Sequence, residues 1–189
     1  QRDHGGPEQG YHDDDGRLSF SYDAKYFDLI HVDPWKKYPN IKDGIHETID
    51  IIRFCLDINP DIQFEVGTEE AIRSFSVNEL ELFLKTLELE LSENEFQKIK
   101  YVVIQSGVGL NLCKMKNTGN YNQDCLYDMI QVVKKYNKLT KEHNADYLSY
   151  REIQDRFSIG LDAINIAPEL GQIETCAIID ILNDHDDLL

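Results

Sequence analysis

The chain has 189 residues, of which 41% are hydrophobic, and this is enough for one domain with an ordinary core. Its 35 acidic and 19 basic side chains give a formal net charge of −16, which disfavours nucleic acid and anionic membrane surfaces as partners. The apolar runs are far too short to cross a bilayer, so we expect a soluble protein. The four cysteines form no Cys-x-x-Cys pair, which favours reduced thiols and a cytoplasmic location.

Apolar runs that suit strands alternate along the chain with segments of helical periodicity. Strands are predicted, beyond a strand end near residue 4, over 28–32, 62–66, 101–105, 138–143 and 163–166. Helices are predicted over 42–58, after the Ser-x-x-Glu capping boxes at Ser76 and Ser149, around Leu126 to Val133, and over 172–182. This alternation predicts parallel strands of an α/β protein, because each return to the same edge of the sheet needs a crossover.

The spacing of the strand ends, roughly 25 to 40 residues, suits a (β/α)8 TIM barrel or a doubly wound sheet. The sequence holds no glycine-rich phosphate loop of the nucleotide-binding type, and this favours the barrel. A complete barrel takes about 250 residues. We therefore expect residues 1–189 to be a single barrel domain that contains roughly the last five to six strand–helix units and lacks N-terminal units and the end of the full-length chain.

Polar and apolar residues alternate in three of the predicted strands. One face of each strand is apolar. The other face carries His31 and Asp33 in the first of these strands, Glu65 in the second and Asn165 in the third. If the apolar faces pack against the helices, the polar side chains enter the barrel near the carboxyl ends of the strands, where barrel enzymes hold their active sites. The alternative is that these side chains are internally hydrogen-bonded or face solvent.

Turn residues follow the strands at the same end. In Asp3-His4-Gly5-Gly6-Pro7 a carboxylate and an imidazole precede two glycines, where backbone can approach a ligand closely. The segments 106–109 and 117–120 offer backbone amides in tight turns, so we expect them to contact a phosphate or another anion. Ordinary turn chemistry is the alternative explanation.

Six segments resemble, in order, the successive strand ends of the tagatose-bisphosphate aldolase non-catalytic subunit family, also labelled tagatose 6-phosphate kinase. The segments are Asp3-His4-Gly5-Gly6-Pro7, Ile30-His31-Val32-Asp33, Glu65-Val66-Gly67-Thr68-Glu69, Val103-Ile104-Gln105-Ser106-Gly107, Glu142-His143-Asn144-Ala145-Asp146-Tyr147 and Asn165-Ile166-Ala167-Pro168. The resemblance runs from residue 1 to about residue 175. It implies a (β/α)8 barrel related to class II aldolases, with this chain starting at the end of the third strand.

The resemblance also implies a divalent metal, usually zinc, that histidines hold and that polarises a ketose carbonyl. It places Asp3 at the acid/base position, His4 at the first metal ligand and His143 at the third. Glu65 resembles a carboxylate beside the metal and is predicted as a second catalytic residue. Asp33 resembles the aspartate that closes the fourth strand.

One ligand of this set is missing, because Val108 or Gly109 occupies the place of the second histidine. Zinc accepts carboxylate as well as imidazole ligands, so Glu65, Asp33 or His31 could complete the site. His31 could equally be an ordinary hydrogen-bonded interior histidine.

The leading interpretation is a sugar-phosphate aldolase-family barrel that cleaves or condenses a ketose phosphate with a metal between His4 and His143. The substrate-binding residues are predicted to be Asp33, Gln105, Ser106, Gly107, Asn117, Thr118, Gly119 and Asn165. One alternative is a non-catalytic subunit that stabilises a separate class II aldolase. Another is a metal-dependent phosphosugar epimerase or isomerase with Asp3 and Glu65 as its two bases. The expected partners are a phosphorylated sugar and either a catalytic aldolase subunit or a second copy of this chain.

Overall fold

The computed structural model describes residues 1–68, 73–104, 107 and 109–184. The strands within these residues are β1 (Arg2–Gly5), β2 (Leu29–Val32), β3 (Gln63–Gly67), β4 (Ile99–Ile104), β5 (Leu110–Asn111), β6 (Lys116–Asn117), β7 (Leu139–Glu142) and β8 (Ala163–Ile164). The α-helices are α1 (Arg17–Tyr26), α2 (Ile41–Ile58), α3 (Val77–Glu90), α4 (Glu93–Gln97), α5 (Gln123–Lys135), α6 (Tyr150–Ile159) and α7 (Pro168–Asp184).

Six of these strands form one parallel sheet in the order β1-β2-β3-β4-β7-β8. The sheet curls into a half-barrel, so that Asn165, which follows the last strand, reaches Asp3 in the first. Between β4 and α5 the short strands β5 and β6 pair as an antiparallel hairpin. The predicted α/β class and parallel order are confirmed, and closure into a complete (β/α)8 barrel stays a prediction.

Helices α2, α3 and α5 cover the outer face of the sheet with their apolar sides. Each buries residues three and four positions apart, such as Leu80, Phe83, Leu84 and Leu87 in α3, and these join one core with Phe64 and its neighbours. The expected capping boxes are present at Ser76 and Ser149, where each serine hydroxyl accepts from the backbone of the glutamate three residues on. The apolar faces of the strands therefore pack against helices, as the alternation predicted.

Helices α1 and α4 and the β5–β6 hairpin are not among the elements predicted from the sequence. Helix α1 buries only Phe20, Asp23 and Ala24, and it begins after Gly16 with no side-chain cap, so its sequence carries little helical signal. Helix α7 begins at Pro168, earlier than predicted, because proline suits the first turn of a helix.

Helix α7 packs poorly on the rest of the described chain. None of its 17 residues is buried, and its exposed apolar side chains are Leu170, Ile173, Ile178, Ile179 and Ile181. Within the described residues, no helix is both long enough and apolar enough to span a bilayer.

Candidate metal centre

Three histidines from three strands meet at the carboxyl-end rim of the sheet. His4 lies in β1, His31 in β2, and His143 directly follows β7. Their ring centroids are 4.9 Å apart for His4 and His31, 4.9 Å for His4 and His143, and 4.8 Å for His31 and His143. Because parallel strands all end at this rim, residues far apart in sequence form a nearly equilateral triangle of imidazoles.

A carboxylate holds one ring nitrogen of His4 and one of His143. His4 Nδ1 lies 2.8 Å from Asp33 Oδ2, and His143 Nε2 lies 2.5 Å from Glu65 Oε1. An ionised carboxylate only accepts hydrogen bonds, so each of these nitrogens carries a proton, and in a neutral ring the opposite nitrogen carries the lone pair. Those opposite nitrogens, His4 Nε2 and His143 Nδ1, are 3.3 Å apart. Two lone pairs at that separation repel each other unless a proton or a cation lies close to both.

Both carboxylate oxygens of Glu65 accept hydrogen bonds. It is fully buried, and its second oxygen accepts from Lys141 Nζ at 2.6 Å and from Gln1 Nε2 at 2.8 Å. Burial would raise the pKa of Glu65, but the hydrogen bond from His143 and the neighbouring cations lower it to about 2. Burial in turn lowers the pKa of His143, which favours the neutral form of the ring that a metal requires.

Both carboxylate oxygens of Asp33 also accept hydrogen bonds from neighbouring residues. Besides His4, its Oδ2 accepts from Gln9 Nε2 at 2.8 Å, and its Oδ1 accepts from the backbone amide of Trp35 at 3.2 Å. Burial would raise the pKa of Asp33, but the hydrogen bond from His4 and the nearby imidazoles keep it below the ordinary value. Asp33 was predicted to contact substrate, and here it lies behind His4.

His31 differs from the other two histidines, since no hydrogen bond holds its Nδ1. The residue is only 1% exposed, and Nδ1 lies 3.6 Å from Asp3 Oδ1 and 4.0 Å from Glu65 Oε1. Among the described residues it is the one buried side-chain nitrogen or oxygen without a hydrogen-bond partner. A buried polar atom without a partner is unfavourable, so its position fits a site that takes a cation.

Asp3, His4, His31 and His143 can each offer one ligand atom, and these four atoms lie within 4.8 Å of one another. Imidazole nitrogens with a carboxylate oxygen are a donor set that zinc and other divalent metals accept. The residues present therefore fit the divalent metal that the sequence predicted, and the identity of that metal stays a prediction.

Asp3 lies at the edge of this cluster, beside an open cavity of about 230 Å³. Its side chain is 43% exposed, and Asn165 Nδ2 lies 3.4 Å and 3.3 Å from its two carboxylate oxygens. Burial would raise the pKa of Asp3, but the nearby His31 ring, together with His143 and His4, holds it well below its usual range. The cavity is lined by Asp3, His4, His143, Asn144, Asp146, Asn165, Ala167 and Pro168.

The turn predicted to bind phosphate uses much of its polar chemistry internally. Asn117 Nδ2 donates to the carbonyls of Asn144 and Asp146, and the amide of Gly119 donates to Asn117 Oδ1. The amide of Thr118 donates to the carbonyl of Gly109. These bonds tie the hairpin to the loop after His143, so an anion at this turn would have to displace some of them.

The remaining predicted substrate contacts have different outcomes. Gln105 and Ser106 lie outside the described residues. Gly107 has a φ of 87°, and a β-carbon there would lie 1.9 Å from the carbonyl oxygen of Asn120, so backbone packing explains this glycine. Asn165 borders the cavity as predicted.

Lys141, the buried cation of the cluster, is not among the residues predicted from the sequence. The alternation that identified His31 and Glu65 also applies to β7, where Lys141 lies two residues before His143 and so on the same face. That periodicity could have found it. Gln1 and Gln9 had no such signal, because neither lies in a predicted strand.

The comparisons with known proteins concern the fold. No protein-family model matches this chain, and no curated protein matches it. Among solved structures, the chain is similar to the YdjI aldolase from Escherichia coli K12, with 15% sequence identity and a TM-score of 0.60. The match covers 86% of this chain and 52% of that chain, so this chain spans about half the length of the aldolase. The likeness shows an aldolase-like fold, and membership of the tagatose-bisphosphate aldolase subunit family stays a prediction.

Proposed function

We propose that this chain carries the metal centre of a class II type aldolase, which cleaves or forms a carbon–carbon bond of a ketose phosphate. The observation that carries the proposal is the approach of His4 Nε2 and His143 Nδ1 to 3.3 Å, while a carboxylate holds the other nitrogen of each ring. Histidines that bind metals are commonly held by carboxylates in this way. The aldolase-like fold is compatible with this reaction.

The charges around the histidines favour a divalent cation. The lowered pKa values of Asp3, Asp33 and Glu65 give three negative charges, and Lys141 adds one positive charge. Apart from the imidazoles, these side chains carry a net charge of −2, which one divalent ion would balance. We propose zinc, since imidazole nitrogens suit it.

Each side chain has a distinct part in the proposed reaction. When bound, the cation would stabilise negative charge on the oxygen of a ketose carbonyl. Asp3 is the group that accepts the substrate proton, because it is ionised and borders the cavity. Asn165 orients the Asp3 carboxylate through its amide. Glu65, predicted as a second catalytic residue, is better suited to orient His143, because it is fully buried and both of its oxygens accept hydrogen bonds.

The test is a cleavage assay on the purified protein loaded in turn with zinc, cobalt and manganese. A ketose bisphosphate is supplied, and release of triose phosphate is followed. We expect Asp3→Asn to lower kcat by at least about 100-fold while the bound metal is retained, because only the proton acceptor is lost. His46→Ala is the matched control, since that histidine is an exposed residue of α2.

Two outcomes would contradict the proposal and favour the alternatives. Exchange of a substrate proton with solvent, without cleavage, would indicate an epimerase or isomerase. Activity that appears only after a separate class II aldolase is added, and that survives Asp3→Asn, would indicate a non-catalytic subunit.

A further inference from the structure

We propose that His31 is the third metal ligand and replaces the histidine expected in the loop after β4. The inference rests on the metal of the proposed function and adds one ligand to it. Sequence reasoning left three residues that could complete the site, namely His31, Asp33 and Glu65. Their hydrogen bonds distinguish among them.

Glu65 is the least available of the three. Its Oε1 accepts from His143 Nε2, and its Oε2 accepts from both Lys141 and Gln1. Each of its oxygens already takes at least one donor, so a metal there would tend to displace the buried Lys141 ammonium or the proton that holds His143 in its tautomer. Either change leaves a buried polar group without its partner, which is unfavourable.

Asp33 is committed in the same way. Its Oδ2 holds His4 Nδ1 and Gln9 Nε2, and its Oδ1 caps the amide of Trp35. Its side chain is 2% exposed, and it lies on the far side of His4 from His143, because His4 contacts the two through opposite ring nitrogens. A metal bound by Asp33 would compete with its hydrogen bond to His4, which is itself a proposed ligand.

His31, unlike Glu65 and Asp33, has a polar atom that no hydrogen bond holds. It is 1% exposed, its Nδ1 has no hydrogen-bond partner, and its ring completes the triangle with His4 and His143. A metal bound through Nδ1 of His31 would satisfy this nitrogen, and no existing hydrogen bond of Nδ1 would have to break. The hydrogen bonds of Glu65 and Asp33 argue against those two residues as ligands. The unpartnered Nδ1 of His31 argues for His31 as the third ligand.

The assignment has a consequence for Asp3. Three imidazole nitrogens and an open position are a coordination that catalytic zinc commonly adopts. With His31 as the third ligand, the Asp3 carboxylate is not needed to hold the metal and stays available as the proton acceptor. His31 Nδ1 and Asp3 Oδ1 are 3.6 Å apart, so ligand and base would lie side by side.

The experiment measures binding of cobalt(II) to the whole purified chain by titration and by its visible absorption spectrum. We expect His31→Ala to weaken cobalt binding by about 100-fold or more, since even residues that only orient a ligand change affinity by about 10–100-fold. His46→Ala, which removes an exposed histidine, should bind as the parent does. Circular dichroism checks that each variant is folded.

His31→Cys keeps the inference testable if the alanine variant does not fold. A thiolate at this position should recover cobalt binding and add a sulfur-to-cobalt charge-transfer band in the near ultraviolet, because cysteine is also a metal ligand. A merely structural role for His31 would produce no such band. The inference is overturned if His31→Ala binds cobalt with the parent's affinity and spectrum, or if the folded cysteine variant shows no band. Failure of the cleavage assay with cobalt bound to the parent would instead overturn the aldolase function alone.

Discussion

The buried pair of Lys141 and Glu65 shows how strongly single residues of this site depend on one another. Lys141 Nζ lies 2.6 Å from Glu65 Oε2, and both side chains are almost completely removed from water. Glu65 in turn holds His143. A charge buried in this way is tolerated only while its partner remains.

We therefore predict that Lys141→Met lowers the free energy of unfolding by about 3–5 kcal/mol, because it leaves the Glu65 carboxylate buried without its cation. The matched control is Lys135→Met, which removes the 2.9 Å pair with Glu81 on the surface and should cost much less, because water and salt screen an exposed pair. Urea denaturation in the presence of a chelator measures both. Equal losses for the two variants would contradict the prediction.

Close backbone packing, rather than room for a ligand, explains why position 6 is a glycine. The sequence suggested that the two glycines after His4 admit a ligand, but a β-carbon on Gly6 would lie 2.0 Å from the carbonyl oxygen of Asp33. The glycine therefore lets the loop after β1 approach the end of β2. This contact supports the Asp33 carboxylate that holds His4.

We predict that Gly6→Ala lowers the free energy of unfolding by about 2–4 kcal/mol, because backbone must shift to admit the methyl group. Gly171→Ala is the control, since a β-carbon at that position in α7 meets nothing within 4 Å. Alanine is also the better helix former, so the control should be neutral or slightly stabilising. Thermal unfolding of both variants measures these changes in stability. A Gly6→Ala variant as stable as the parent would show that the loop can move.

At the level of elements, capping boxes define where several helices begin. Helix α6 follows Ser149, whose hydroxyl accepts from the backbone of Glu152 while the Glu152 carboxylate accepts from the backbone of Ser149. Hydrogen bonds from the Ser149 side chain and from the Ser149 backbone amide, in that order of effect, hold the pKa of Glu152 below its ordinary value of 4.5. Helix α6 matters to the site because its Arg156 packs against β7 through Glu142.

A lowered pKa in the folded state means that ionised Glu152 stabilises the fold above about pH 4.5, and that this contribution is lost as the pH falls through the folded pKa. We predict that Glu152→Gln lowers the free energy of unfolding by about 0.3–1 kcal/mol at pH 7, where the charge interacts with the helix N-terminus. The difference from the parent should shrink as the pH falls through the folded-state pKa of Glu152 and vanish below it. Urea denaturation at a series of pH values measures it.

Ser149→Ala is the comparison for the same box. It removes the cap itself and should cost about 1 kcal/mol at pH 7. A difference between the parent and Glu152→Gln that stays constant from pH 7 to pH 3 would rule out the carboxylate as its origin.

At the scale of the whole molecule, the core and the site lie in the sheet and its covering helices, while α7 contributes little. Phe64, Val66 and the apolar sides of α2, α3 and α5 form one core. Helix α7 buries none of its 17 residues and touches the rest chiefly near its start, through Glu169 and Gln172. Burial of apolar side chains is the main source of folding stability, so α7 should add little of it.

We predict that removal of residues 173–189 changes the melting temperature by less than about 4 °C, corresponding to less than about 1 kcal/mol. The shortened chain also loses the exposed isoleucines of α7 and should associate less at high concentration. Calorimetry and sedimentation measure the two effects. Loss of cooperative unfolding in the shortened chain would show that α7 is part of the folding unit.

Much of the fold follows from patterns that are local in the sequence. The alternation of His31 with Val32 and of Glu65 with Val66 indicated strands with a polar inner face, and Ser76 and Ser149 marked helix starts within a few residues. These signals arise within one turn or one strand, so they can be read without knowing what lies across the sheet. Helix α1 gave no comparable signal, because its few buried residues form no extended stripe.

The assignment of roles within the site depended on contacts between distant residues. His4 and His143 are 139 positions apart, and Lys141 and Glu65 are 76 positions apart. The sequence showed that histidines and carboxylates share the strand ends, but it could not show which oxygens already hold a proton donor. That information exists only once the sheet has curled and brought β1, β2, β3 and β7 to one rim, because hydrogen bonds act over about 3 Å and have no counterpart in sequence spacing. For this reason the sequence left Glu65, Asp33 and His31 as candidates, and the hydrogen bonds of the folded chain are the basis for proposing His31.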